Sequence, residues 1–262
     1  MKKTGRITAI CNQKGGVGKS ATALNLGAGL AREGKRVLLA DLDPQGSLTA
    51  SLGYQQPDQL ENTLADILGC VVSGEQVSPG EGILHHEEGV DLLPANIELS
   101  GLEVTLVNAM GRETVLREYL DGVRDRYDMI LLDCCPSLGM LTINALAAAD
   151  DVLIPCNAHY LSLRGMEQLI RSIASVRRKI NPKLEISGIL ITMADMRTNF
   201  SREIIDLLRS TYGNDLRIYD SIIPRSIRAA EASAEGRSIY RHDPAGKVAA
   251  AYAALVKEVL GT

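Results

Sequence analysis

The run Cys11–Asn12–Gln13–Lys14–Gly15–Gly16–Val17–Gly18–Lys19–Ser20 carries the residues best suited to chemistry on a phosphate. Glycines let backbone N–H groups close around an oxyanion, and a helix N-terminus behind them adds partial positive charge. In such a loop Lys19 reaches the β- and γ-phosphates of a nucleotide, and the Ser20 hydroxyl ligates Mg²⁺. The usual pattern opens with glycine; here Gln13 stands in that place, and a second lysine, Lys14, sits at the mouth. A structural turn is the plain alternative. The order of apolar stretch (7–10), glycine loop and Ala/Leu-rich run (21–31) fits a phosphate-binding loop better.

A second segment, Val37–Leu38–Leu39–Ala40–Asp41–Leu42–Asp43–Pro44–Gln45–Gly46, delivers two carboxylates from an apolar strand into a turn. If the extended geometry persists, Asp41 and Asp43 face the same side, one near a metal and one orienting an attacking water. A solvated strand end is the alternative, since Asp-Pro is a common ending. A third, Ile130–Leu131–Leu132–Asp133, is an apolar strand closing on the kind of aspartate that holds Mg²⁺, usually through water.

Something must bring these three segments together. Strand-like runs fall at 6–11, 36–41, 90–94, 129–133, 151–156, 186–192 and 217–223, and helical stretches at 19–33, 113–124, 163–180, 201–212 and 246–259. This alternation predicts an α/β fold, a mostly parallel sheet flanked by helices on both faces. Ligands of such sheets bind beyond the carboxyl ends of the strands, where the glycine loop and the strand-end aspartates lie. With no linker-like stretch, residues 1–262 read as one domain, and 54–88 as an excursion between strands.

Composition narrows the classes. Hydrophobic residues make up 45% of 262, enough for a full core, and aromatics only 3%, so the core is aliphatic and base stacking on aromatic rings is disfavoured. A net charge of −4 excludes a globally basic DNA-coating protein. Five cysteines (Cys11, Cys70, Cys134, Cys135, Cys156) form no C-x-x-C pair and read as buried, reduced thiols. No signal-peptide pattern or membrane-length apolar run appears, and the expected compartment is the cytoplasm.

Together, Lys14–Ser20, Asp41–Gly46, Leu132–Asp133 and Ile223–Pro224–Arg225, with Gly188–Met193 and Arg197–Asn199, resemble the deviant-Walker partition ATPases of the ParA/Soj type over nearly the whole chain. The likeness is to the short form, without an N-terminal helix-turn-helix domain. It implies a P-loop ATPase using ATP and Mg²⁺. Lys14 would cross a homodimer interface to the partner's ATP, and Asp43 would position the hydrolytic water. Nucleotide contacts would come from Lys14, Gly15, Gly16, Val17, Gly18, Lys19, Ser20, Ala21, Met193, Pro224, Arg225 and Ser226, and the metal site from Ser20, Asp41, Asp43 and Asp133. The sequence departs from the pattern at Ser20 (commonly Thr), at Ala21 (commonly a second hydroxyl residue) and at Cys134–Cys135–Pro136 after the metal aspartate.

The resemblance further implies non-specific DNA binding by the ATP-bound dimer, nucleoid association, and a ParB-like centromere-binding partner that stimulates hydrolysis. DNA contact needs a local basic face. Arg164, Arg171 and Arg178 recur every seven residues on a predicted helix, extended by Arg177, Lys179 and Lys183. A second cluster, Arg217, Arg225, Arg228, Arg237, Arg241 and Lys247, has an excess of two positive charges over 217–247, and Arg197 lies in the matched loop. An ordinary solvated helix face is the alternative for the first stripe.

Three other functions compete. A MinD-like, membrane-associated regulator of cell division needs a basic amphipathic C-terminal helix, whereas 247–259 is Ala-rich with only Lys247 and Lys257 and predicts a packing helix. An iron–sulfur carrier needs thiolates around one site; adjacent Cys134 and Cys135 splay apart. A nucleotide-binding scaffold without turnover is disfavoured by the presence of Lys19, Asp43 and Asp133 together. His85–His86 lacks partners at ligand spacing, and Tyr127 and Tyr160 read as boundary residues.

Overall fold

The computed structural model describes residues 4–158 and 160–261, and their side chains except those of 160–164. The elements run β1 (Arg6–Ile10), α1 (Lys19–Arg32), β2 (Val37–Leu42), α2 (Ser47–Ser51), α3 (Leu64–Ser73), β3 (Leu84–His85), β4 (Asp91–Leu93), α4 (Glu98–Leu106), α5 (Val115–Val123), β5 (Met129–Cys134) and α6 (Met140–Ala148). They continue through β6 (Asp151–Asn157), α7 (Tyr160–Lys179), β7 (Glu185–Ala194), α8 (Asn199–Tyr212), β8 (Ile218–Pro224), α9 (Ile227–Ala234), α10 (Ile239–His242) and α11 (Lys247–Leu260).

Among the described residues eight strands form one sheet in the order β3-β4-β2-β5-β1-β6-β7-β8, parallel throughout except for the β3–β4 pair. Successive strand residues serve opposite faces. Leu38, Ala40, Ile130 and Leu132 pack with α3 to α8, whereas Val37, Leu39 and Leu131 pack with α1, α2 and α9 to α11. Both faces are covered, which is why the strands read as unbroken apolar runs rather than alternating ones. Helix α1 comes close to the sheet at Gly27: a Cβ there would lie 2.6 Å from Leu39 Cδ2, so the Leu39 side chain would have to shift.

All seven expected strands are present, with ends shifted by a residue or two. β3 has no counterpart among the strand-like runs of the sequence, because two residues carry no periodicity. Helices α2, α3, α4, α6, α9 and α10 likewise fall outside the helical stretches legible in the sequence. α6 is buried nearly all round and shows no amphipathic period, while α3 opens with a readable capping box, Thr63 and Asp66. The 54–88 excursion therefore contains a helix, and its Leu64, Ile67 and Leu68 belong to the main core.

Helix α11 buries Val248, Ala249, Tyr252, Leu255 and Val256, as expected of a packing helix. Its Glu258 accepts hydrogen bonds from the N–H groups of Asp220 (2.9 Å) and Ser221 (2.7 Å) on β8, covering part of that edge strand. No helix among the described residues is long and apolar enough to cross a membrane. All five cysteines are free thiols; Cys11, Cys134, Cys135 and Cys156 are buried.

Candidate functional site

The glycine loop leaves central strand β1 and enters α1 through Gly18, whose φ of 82° is a left-handed conformation that suits glycine. Three buried polar side chains brace the loop. Asn12 donates to the Pro155 carbonyl (2.7 Å) and accepts from Lys14 N–H (2.9 Å). Thr192, at the end of β7, donates to the Val17 carbonyl (2.8 Å). Lys19 is only 7% exposed, and its ammonium lies across the loop on the Lys14 carbonyl at 3.4 Å. The Lys14 ammonium reaches Asn157 Oδ1, also at 3.4 Å, at the end of β6. The sequence signals Asn12, Thr192 and Asn157 only as polar residues at the ends of apolar strands.

Asp41 and Asp133 are register partners on β2 and β5, and both are fully buried. Burial, with Asp41 adding repulsion, pushes the Asp133 carboxyl well above the usual range; Lys19 and the Ser20 hydroxyl pull against it. Among the described residues neither Asp133 oxygen has an oriented hydrogen-bond partner. A buried carboxylate without partners is costly, and a cation beside it removes the cost. Asp133 and Ser20 therefore fit a divalent ion with oxygen ligands.

Asp41 differs from expectation. Its Oδ2 accepts from the Thr49 N–H (2.9 Å) and hydroxyl (2.8 Å), and its Oδ1 from Asp43 N–H (3.1 Å). The side chain expected at the metal is thus engaged in holding the following loop. Burial pushes its carboxyl up to about 6 against the pull of the Thr49 bonds. Nor does the extended geometry persist to Asp43. β2 ends at Leu42, and the chain turns with Gly46 N–H on the Asp43 carbonyl (2.8 Å) and Gln45 N–H on Asp43 Oδ1 (3.0 Å). Asp43 is half-buried in that turn.

The ends of β7 and β8 complete the edge. Met193 is partly exposed with φ 49°, unusual for a non-glycine residue. Pro224 pairs with Ala194 in register, and Arg225 N–H bonds to the Ala194 carbonyl. Thr192 links this edge to the glycine loop, so Met193, Pro224, Arg225 and Ser226 stand on the same side of the sheet as Lys19. The turn after Asp133 is braced by Thr142, whose hydroxyl donates to the Ser137 carbonyl (2.7 Å), and by the Cys135 thiol at 3.2 Å from Ser137 Oγ.

The expected basic cluster at 217–247 is not one patch. Arg217 and Arg225 flank opposite ends of seven-residue β8, about 26 Å apart at strand rise. Arg217 lies over the Tyr219 ring and Arg241 pairs with Glu87. Arg225 and Arg228 remain at the nucleotide edge, with Arg228 paired to Glu231. Arg197 is exposed and held in a bidentate pair by Asp195, whose carboxyl it lowers to about 2. On α7, Arg171 and Arg178 are exposed opposite buried Leu169, Ile173 and Val176, as the stripe predicts, with Arg171 paired to Glu167. The side chains of Arg164 and Tyr160 lie outside those described. His85 bonds to Asp91, and so does the buried Tyr127 hydroxyl.

A parallel sheet with a glycine loop after its central strand, a buried lysine and a strand-end carboxylate beside a hydroxyl defines a P-loop nucleotide hydrolase. Residues 5–186 match the AAA domain family. The chain is 42% identical over 255 residues to the sporulation initiation inhibitor protein Soj of Bacillus subtilis, spanning 97% of this chain and 98% of that one. It is 40% identical over 257 residues to the chromosome partitioning protein ParA of Caulobacter vibrioides, spanning 97% and 94%. Among solved structures, a Mycobacterium smegmatis protein described as cobyrinic acid a,c-diamide synthase, with bound ATP analogue and magnesium, superposes with a TM-score of 0.86 at 38% identity, covering 98% of this chain and 94% of that one. The chain belongs to the Soj/ParA family of chromosome-partitioning P-loop ATPases.

Proposed function

We propose that this ATPase is a DNA-partitioning switch: it binds ATP with Mg²⁺, closes into a dimer, holds DNA without sequence preference, and lets go when a ParB-like partner stimulates hydrolysis. The observation that carries the reading is the orphaned, fully buried Asp133 facing Ser20 and Lys19 at the mouth of the glycine loop. Loop N–H groups and Lys19 cradle the phosphates. Ser20 and Asp133 would hold Mg²⁺, which when bound would neutralise charge on the phosphates. Asp43, with one oxygen fixed by Gln45 N–H, turns the other toward a water and orients it for attack. Met193, Pro224, Arg225 and Ser226 border the base. Lys14, redundant with Lys19 on its own phosphates, reaches the partner's nucleotide, which makes ATP part of the dimer interface.

The M. smegmatis protein's description names a different ATP-linked chemistry. Turnover with water as the only acceptor separates the two. ATP hydrolysis should be slow alone and rise with DNA and a centromere-binding protein; dependence on an added carboxylate substrate, or indifference to DNA and partner, overturns the partition reading. A MinD-like role is disfavoured because α11 spends its apolar face on the core. Flotation with anionic vesicles and ATP tests it.

A further inference from the structure

From the network around the turn 42–46, we infer that Thr49 is a positioning residue for hydrolysis: its hydroxyl clips the two ends of the turn together and so sets where Asp43 stands. This rests on the reading of Asp43 as the water-orienting carboxylate. Thr49 is fully buried in α2, on the far side of the turn from β2. Its hydroxyl donates to Asp41 Oδ2 at 2.8 Å and accepts from Ala95 N–H at 3.1 Å, while its own N–H bonds to the same Asp41 oxygen at 2.9 Å. Asp41 Oδ1 in turn receives the Asp43 N–H at 3.1 Å.

The chain of bonds therefore runs Ala95, Thr49, Asp41, Asp43, and joins the ends of β4 and β2 through one hydroxyl. A hydroxyl both donates and accepts, and here each capacity is used. Valine in its place keeps the shape but leaves the Ala95 N–H and an Asp41 oxygen short of a partner inside the core. The turn then loses its register against β2, and Asp43 moves with it. Geometry errors of about 1 Å cost up to about 100-fold in rate. The phosphate loop is braced separately by Asn12 and Thr192, so nucleotide binding does not depend on this clip.

The test is steady-state ATP hydrolysis by the full chain, with thermal melting of each variant alongside. Thr49→Val should lower kcat about 10- to 100-fold with KM for ATP within about twofold of the parent, and Thr49→Ser should restore kcat. Wild-type kcat in Thr49→Val, or a Ser variant as slow as the Val variant, overturns the proposal. So does a rise in KM that matches the loss of kcat. Should Thr49→Val not fold, Thr49→Cys, similar in shape with a weak donor, reads the same: lowered kcat at constant KM supports the clip, and unchanged kcat overturns it. Asp43→Ala in the same series separates the two readings. If it turns over normally, the role of Asp43 fails; if it is dead while Thr49→Val is fully active, only the clip fails.

Discussion

Asp41 and Asp133 sit side by side on neighbouring parallel strands, both fully buried, yet only Asp41 has its oxygens hydrogen-bonded. At the strand spacing of about 5 Å, two such charges repel by about 3 kcal/mol at an effective dielectric of 20. Thr49 and Asp43 N–H offset that on one side; a cation beside Asp133 offsets it on the other. One carboxylate thus shapes the turn and its neighbour is left for the ligand.

Asp43→Ala should keep ATP binding and lower turnover about 10²- to 10⁴-fold, the usual range for a general base. Phosphate release together with binding of a fluorescent ATP analogue checks both halves. Undiminished turnover would remove Asp43 from the mechanism.

Lys19→Ala should instead weaken binding. Losing one charged contact to the phosphates costs about 10- to 100-fold in Kd, read by titration with the same analogue. An unchanged Kd would mean that the buried ammonium serves the loop rather than the nucleotide.

Dimerisation is the third expectation. Light scattering on the Asp43→Ala protein should give a dimer with ATP and a monomer without, and adding Lys14→Ala should leave it monomeric. A double variant that still pairs on ATP shows that Lys14 is not the bridge.

DNA affinity should require ATP and fall steeply with salt. Arg225→Ala and Arg228→Ala should each lower it and reduce the salt slope by about one; Arg228→Ala should leave ATP-driven pairing intact, whereas Arg225 also borders the base. Charge reversal at Arg171 and Arg178 examines the α7 stripe. Equal binding with ADP and ATP, or binding that survives loss of both faces, contradicts the switch.

Glu258→Ala should destabilise the fold by about 1–3 kcal/mol, since Asp220 and Ser221 N–H lose their acceptor. The Glu258 carboxyl lies below its ordinary value; burial pushes it up, but the bonds from Ser221 and Asp220 and the Arg217 charge outweigh burial. Its contribution is therefore complete above the ordinary carboxylate range and is lost as pH falls through the lowered value. Urea melts should show the gap between parent and variant at pH 7 and a smaller gap near pH 3; a gap independent of pH would assign it to packing.

The sequence alone determined the layout. Lys14 to Ser20 declare a phosphate loop because glycine and lysine at that spacing have few other uses, and unbroken apolar runs such as Ile130–Leu132 declare strands covered on both faces. What it could not determine is which carboxylate is satisfied and by what. Asp41 and Thr49 meet across eight residues of turn and short helix, and Thr192 meets Val17 from 175 residues away. Such meetings depend on where strands lie in the sheet, and periodicity reports a residue's face but not its neighbour. Charge counting failed for the same reason: Arg217 and Arg225 are close in sequence, but a strand runs between them and carries them to opposite edges. Local residue types and spacing set the chemistry on offer, and only the tertiary packing decided which groups are left with partners and which are held ready for a ligand.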